Sequence, residues 1–246
     1  MKRRQFLASV GLSSLGVFAL RERTETPLRV TVWATERAAD YDALPARAVG
    51  YLGAALRAVD GRITVDYGGR VRVSTERAYD LVAGGEWPAV LAAQTATGRA
   101  RVGDVNLLVT DGEMAHAPTG MGVPYVAAVG GARFVARMPP AAESSAVLAY
   151  SYPAFVTQVL LHECGHALGL RHRDGSVGDS DGAAVVSPMV SAYAWADDAD
   201  REEHFGVGAS ACGATATVDG DRERRLRMRY SPCATERLRE SEFLLR

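Results

Sequence analysis

The chain has 246 residues, 48% hydrophobic, 23% charged and 7% aromatic, which suits one domain or two lobes and excludes a disordered, collagen-like or coiled-coil chain. Its 28 basic and 29 acidic residues leave a formal charge of −1, so composition makes no case for a nucleic-acid partner. Lys2 is the only lysine, and the arginine bias carries no functional reading.

The chain opens MKRRQFLASVGLSSLGVFAL. Lys2, Arg3 and Arg4 precede an apolar run that fits the core of an export signal and is too short to span a bilayer comfortably. The paired arginines followed by Gln5, Phe6 and Leu7 resemble a twin-arginine signal. Residues 1–20 are therefore expected to be an export signal, with a cleavage site after Ala19. Membrane contact is expected only if that segment is retained. Its loss would move the formal charge from −1 to about −4.

Alternating apolar residues over 28–33 predict a strand, and Ala48, Tyr51, Leu52, Ala55, Leu56 and Val59 recur at helical spacing over 45–59. Residues 63–66 and 71–74 read as two strands around Gly68 and Gly69. The Gly- and Ala-rich stretch 84–100 predicts a helical turn or two after Pro88, and 105–110 a compact strand. Residues 125–137 read as one extended segment interrupted by Gly130 and Gly131. The strongest helix is predicted over 153–170, with Pro153 early and Gly169 at its end. The stretch 173–200 carries little regular signal. Arg222 to Arg229 alternate as a strand would, and Ser231 and Pro232 open a last helix over 232–245. This order predicts an α+β or α/β arrangement with a small second lobe.

The chemistry concentrates in residues 162–172, His-Glu-Cys-Gly-His-Ala-Leu-Gly-Leu-Arg-His. His162 and His166 are four apart and share a helix face, where two imidazoles can bind one Zn²⁺. Glu163 can reach a metal-bound water instead of the metal. On a continuous helix His172 would lie roughly 15 Å along the axis from His162, so the chain must leave the helix, and Gly169 tolerates the left-handed turn required. Three neutral histidines then leave a fourth position open, as catalytic zinc sites do. The bland reading is a helix carrying surface histidines, and a structural zinc site would favour cysteines.

Cys164, Cys212 and Cys233 are the cysteines. An odd number in an exported chain suggests one bridge and one sequestered thiol. Cys164 reads as a buried filler, and a Cys212–Cys233 bridge is worth roughly 3 kcal/mol by loop entropy, with three reduced thiols the alternative. Asp174, Asp179 and Asp181 among glycines are weak Ca²⁺ candidates, because their spacing does not match an EF-hand loop. The acidic run of Asp197, Asp198, Asp200, Glu202 and Glu203 reads as a solvated face, and His116 and His204 as ordinary histidines.

The window 162–172 resembles the zinc signature of the metzincin metallopeptidases, H-E-x-x-H-x-x-G-x-x-H followed by a methionine turn. Met189, in Ser187-Pro188-Met189, is the candidate for that turn. The resemblance implies a metzincin-type α+β domain of matrixin or adamalysin character: a mixed twisted sheet, a long active-site helix and a small irregular C-terminal lobe closed by a helix. The sheet lobe would be 28–172 and the second lobe 173–246. It implies a zinc endopeptidase, with His162, His166 and His172 as ligands, Glu163 as general base and Met189 as apolar floor. Tyr193 lies four residues past Met189, which is wrong for the tyrosine ligand of some metzincins and suits a specificity-pocket wall. Tyr230-Ser231-Pro232-Cys233 is similar to the start of the adamalysin terminal helix, where such a cysteine is bridged. An extended substrate would pair with an edge strand, expected over Val126–Ala136.

The implied partner is a protein or peptide substrate, and a monomer is expected. The interval between the signal and the first strand holds no cysteine, so no inhibitory pro-segment is expected. The alternative of another class is an idle metzincin fold serving as a surface binding module. Intact Glu163 and three histidines weigh against it. A thermolysin-type site, with a downstream glutamate as third ligand, is disfavoured by Gly169, His172 and Met189.

Overall fold

The computed structural model describes residues 27–98, 102–191, 193, 212, 222–241 and 244. The signal segment 1–20, the acidic run 197–203 and His204 lie outside the described residues. No helix among the described residues is long and apolar enough to cross a membrane.

Two mixed sheets and six α-helices form the described chain. The first sheet has the order β2-β1-β3-β5-β4, from β1 (Arg29–Thr35), β2 (Thr64–Val71), β3 (Val105–Val109), β4 (Gly120–Val123) and β5 (Val126–Val129). The inner pairs are parallel and β4 is antiparallel on one edge. β3 is buried along its length, and its successive residues face opposite ways. Leu107 enters one core with α1 (Leu44–Arg57), α4 (Ala132–Ala136) and α5 (Tyr152–Ala167). Leu108 enters another with Trp33, α2 (Ala78–Ala83) and α3 (Glu86–Thr97). The sheet is thus covered by helices on both faces, as a parallel sheet must be.

The second sheet has the order β6-β9-β8-β7, from β6 (Val147–Ala149), β7 (Val177–Ser180), β8 (Ala183–Val186) and β9 (Arg224–Arg227). β6 precedes α5 in the chain yet pairs with β9, so sheet membership crosses residue 172. The terminal helix α6 spans Pro232–Arg239, shorter than expected, with Ser231 accepting from the Ala234 N–H at its cap.

Four local readings change. The two strands expected over 63–74 are one strand, because a bulge at Gly68 lets it continue: a Cβ there would lie 2.6 Å from Thr31 Cγ2 and 2.7 Å from the Trp33 ring. The stretch 84–100 holds a full helix, bracketed by Gly85 and Gly98 in the left-handed region and facing the core with Trp87 and Leu91. Val126–Ala136 is not the edge segment. β5 is internal, Gly131 at φ 78° turns the chain into α4, and β4 is the edge. The loop 173–200 opens with the β7–β8 hairpin.

Leu107 is fully buried between sheet and helices. Leu107→Ala is expected to lower unfolding free energy by about 2–5 kcal/mol, read from denaturant titration; a cost under about 1 kcal/mol would contradict this packing.

Candidate metal centre

α5 carries the site. Ser151 caps its start by accepting from the Ala154 N–H at 3.3 Å, and Pro153 occupies the first turn. The helix ends at Ala167, where Gly169, at φ 90°, reverses the chain and the Leu170 N–H donates to the Gly165 carbonyl at 2.9 Å. That turn also serves the site, because His166 Nδ1 donates to the Leu170 carbonyl at 2.9 Å. The chain then runs extended through Arg171 into a short 3-10 turn over His172–Asp174.

The turn brings three imidazoles together. His166 Nε2 lies 3.0 Å from His162 Nε2 and 3.1 Å from His172 Nε2, and the three ligating atoms fall within 4.8 Å of one another. His162 Nδ1 donates to the Pro188 carbonyl at 2.7 Å. With the protons of His162 and His166 committed to carbonyls on Nδ1, their Nε2 lone pairs face inward and cannot bond each other. Nitrogens bound to one tetrahedral zinc sit roughly 3.4 Å apart, a few tenths of an ångström from the two distances seen. The donor set therefore fits a zinc ion. Burial holds His166 below the usual imidazole range, favouring the neutral ligand form.

Glu163 follows His162 on α5 and sets its carboxylate against Gly120 and Gly122 of β4. It is 7% exposed, and burial pushes its carboxyl up to about 8; a dication beside it would favour the carboxylate. Cys164 is fully buried, its thiol pushed up to about 12 by burial, and is the free cysteine among the described residues, whereas Cys212 and Cys233 are bridged.

The second sheet and the loop after β8 hold α5 and its histidines in place. Gln158, one turn before His162, donates to the Val186 and Arg227 carbonyls at 2.8 and 3.0 Å, tying α5 to β8 and β9. β8 leads into Ser187-Pro188-Met189, which supplies the carbonyl for His162. Met189 is buried, and Gly165 leaves the space its sulfur occupies against the helix. The Tyr193 ring packs on His172 with centroids 4.7 Å apart.

The weak calcium candidates do not form a cluster among the described residues. Asp174, 2% exposed, accepts from the Arg171 N–H at 2.8 Å and pairs with Arg237 of α6, while Ser231 donates to its carbonyl at 3.0 Å. Asp179 pairs with Arg222, and Asp181 sits in the β7–β8 turn at φ 54°. Among the described residues the histidine triad is the assembled group of metal-ligating side chains, and His116 is exposed away from it. Asp174 gave no sequence signal as a support for His172, since its partners lie some 60 residues downstream.

No protein-family model and no curated protein matches the chain. Among solved structures it is similar to the archaemetzincin of Methanopyrus kandleri, with TM-score 0.45 and 18% identity over 92% of this chain and 100% of that one. It is also similar to a chain in the structure of a chaperone–substrate complex, with TM-score 0.41 and 13% identity, over 66% of this chain and 27% of that one. Both are distant likenesses.

Because Asp174 fixes the turn that carries His172, Asp174→Ala is expected to weaken zinc binding roughly ten- to a hundredfold, with Asp174→Asn losing less because its carbonyl oxygen still accepts from Arg171. Competition against a chromophoric chelator measures this; unchanged affinity in Asp174→Ala would show that the turn holds without it.

Proposed function

We propose that this chain is a zinc-dependent endopeptidase of the metzincin type, matrixin- or adamalysin-like in its terminal helix, which hydrolyses peptide bonds in proteins. The observation that carries the reading is the convergence of His162, His166 and His172 with Glu163 beside them. His162, His166 and His172 would hold the ion, and Met189 would floor the site. Zinc, when bound, supplies a Lewis acid that polarises the scissile carbonyl and acidifies water. Glu163 takes the proton from the attacking water and returns it to the leaving amine. Its carboxylate suits this role because it is buried beside the triad and, among the described residues, accepts no hydrogen bond that would hold its lone pairs.

An extended substrate has β4 available to it, since one side of that strand pairs with β5 and the other is the sheet edge. Export by the twin-arginine route, in which the chain folds and takes up its metal before crossing the membrane, is the localisation we propose from the residues at the start of the sequence.

Casein or a peptide library incubated with the purified full chain tests the activity. Cleavage is expected to stop with a chelator, return with added zinc, and fall at least about a thousandfold in Glu163→Ala while that variant still binds zinc. Undiminished cleavage in Glu163→Ala would remove Glu163 from the mechanism. A zinc-loaded chain that cleaves nothing would favour a binding module.

A further inference from the structure

Strand β4 reads Gly120-Met121-Gly122-Val123 and packs on α5. Residues two apart share a face of a strand, so Gly120 and Gly122 both face the zinc helix, while Met121 and Val123 pack with the core on the opposite side of the sheet. Neither glycine has a φ in the left-handed region. Backbone conformation therefore does not require glycine at either position, and glycine inside a strand weakens it. Space is the remaining reason. A Cβ at Gly120 would lie 2.8 Å from Glu163 Oε1, 2.9 Å from Glu163 Cγ and 2.9 Å from the Ala128 carbonyl oxygen. A Cβ at Gly122 would lie 2.5 Å from the Glu163 carbonyl oxygen, 2.6 Å from His166 Cβ and 3.2 Å from Glu163 Oε2. All of these are closer than ordinary van der Waals contact.

We propose that Gly120 and Gly122 are positioning residues for Glu163: the edge strand dispenses with side chains on its helix-facing side so that the glutamate carboxylate rests against bare backbone. Glu163 is buried, and among the described residues no donor bonds its carboxylate, so packing against β4 sets where it lies. The same strand offers its outer edge to substrate. One element thereby fixes the height of the base and of an added peptide strand together, which is the kind of alignment that proton transfer in a hydrolysis needs. The cradle rests on the peptidase reading only in calling Glu163 the base; the contact itself stands on the geometry.

The test is a double-mutant cycle on the full chain, with Gly120→Ala and Glu163→Ala alone and together, followed by thermal unfolding. Gly61→Ala, where a Cβ meets nothing within 4 Å, controls for the change of residue type. If the added methyl group strikes the carboxylate, Gly120→Ala lowers Tm in the Glu163 protein and loses at least about half of that effect in the Glu163→Ala protein. Equal shifts in the two backgrounds would overturn the proposal and assign the contact to the Ala128 carbonyl. Should Gly120→Ala fail to fold, recovery of folding in the double variant supports the cradle and continued failure overturns it. In turnover, Gly120→Ala is expected to lower kcat about tenfold or more, with KM and zinc affinity within about threefold of the parent, whereas Gly122→Ala, which meets His166 as well, weakens zinc binding too. Wild-type kcat in Gly120→Ala would overturn the positioning role. A parent protein with no peptidase activity would sink the function proposed above, and the unfolding cycle would still decide the contact.

Discussion

Ring nitrogens that have no proton to offer one another repel at about 3 Å unless a cation lies between them, and His162 and His166, whose Nε2 atoms face each other at 3.0 Å, depend on that constraint being met. Two of the histidines are locked by carbonyls taken from different parts of the fold: Leu170 in the turn that ends α5, and Pro188 in the loop after β8. Each carbonyl fixes a tautomer and a ring plane at once, which is how an outer hydrogen bond tunes a metal ligand. The third histidine arrives on a short turn whose carboxylate, Asp174, is clamped by the terminal helix.

The two sheets divide the labour. The first, nearly all parallel and sandwiched between helices, gives α5 a rigid bed, and its antiparallel edge strand lies against Glu163 and His166. The second sheet reaches α5 through Gln158 and delivers the Pro188 carbonyl and Met189, whose sulfur packs against Gly165. Small residues mark where the pieces meet: Gly165 admits the methionine sulfur, and Gly120 and Gly122 admit the Glu163 side chain. Burying so many polar groups is tolerated because most are partnered, and Glu163, the buried acid without a protein donor among the described residues, is the one whose lone pairs the proposed chemistry needs.

The metal cluster was legible because it is local. A spacing of four on a helix, a glycine that permits a reversal and a third histidine three residues later encode geometry over eleven positions, and the structure assembles the same three side chains. The compact strand β3 shows as a short apolar run bounded by Asp104 and Asp111, and helix α1 through its helical periodicity, for similar reasons. What escaped was either irregular or distant. β4 has glycine at alternate positions, which leaves only Met121 and Val123 to mark its apolar face; α3 owes its start and end to left-handed glycines inside an alanine-rich run; and Val126 to Ala136 changes from strand to helix at Gly131 without a change in composition. The role of Asp174 depends on Ser231 and Arg237, which no local pattern links to it. Its place among aspartates and glycines reads chiefly as a solvated loop, with calcium a weak alternative.

Three imidazoles of this chain are expected to bind one zinc ion with a position left open. X-ray absorption at the zinc edge of the metal-loaded full chain measures it directly. Three imidazole nitrogens at about 2.0–2.1 Å and one light oxygen, with no sulfur, are expected. A sulfur shell at about 2.3 Å, or a fourth imidazole closing the coordination, would contradict it.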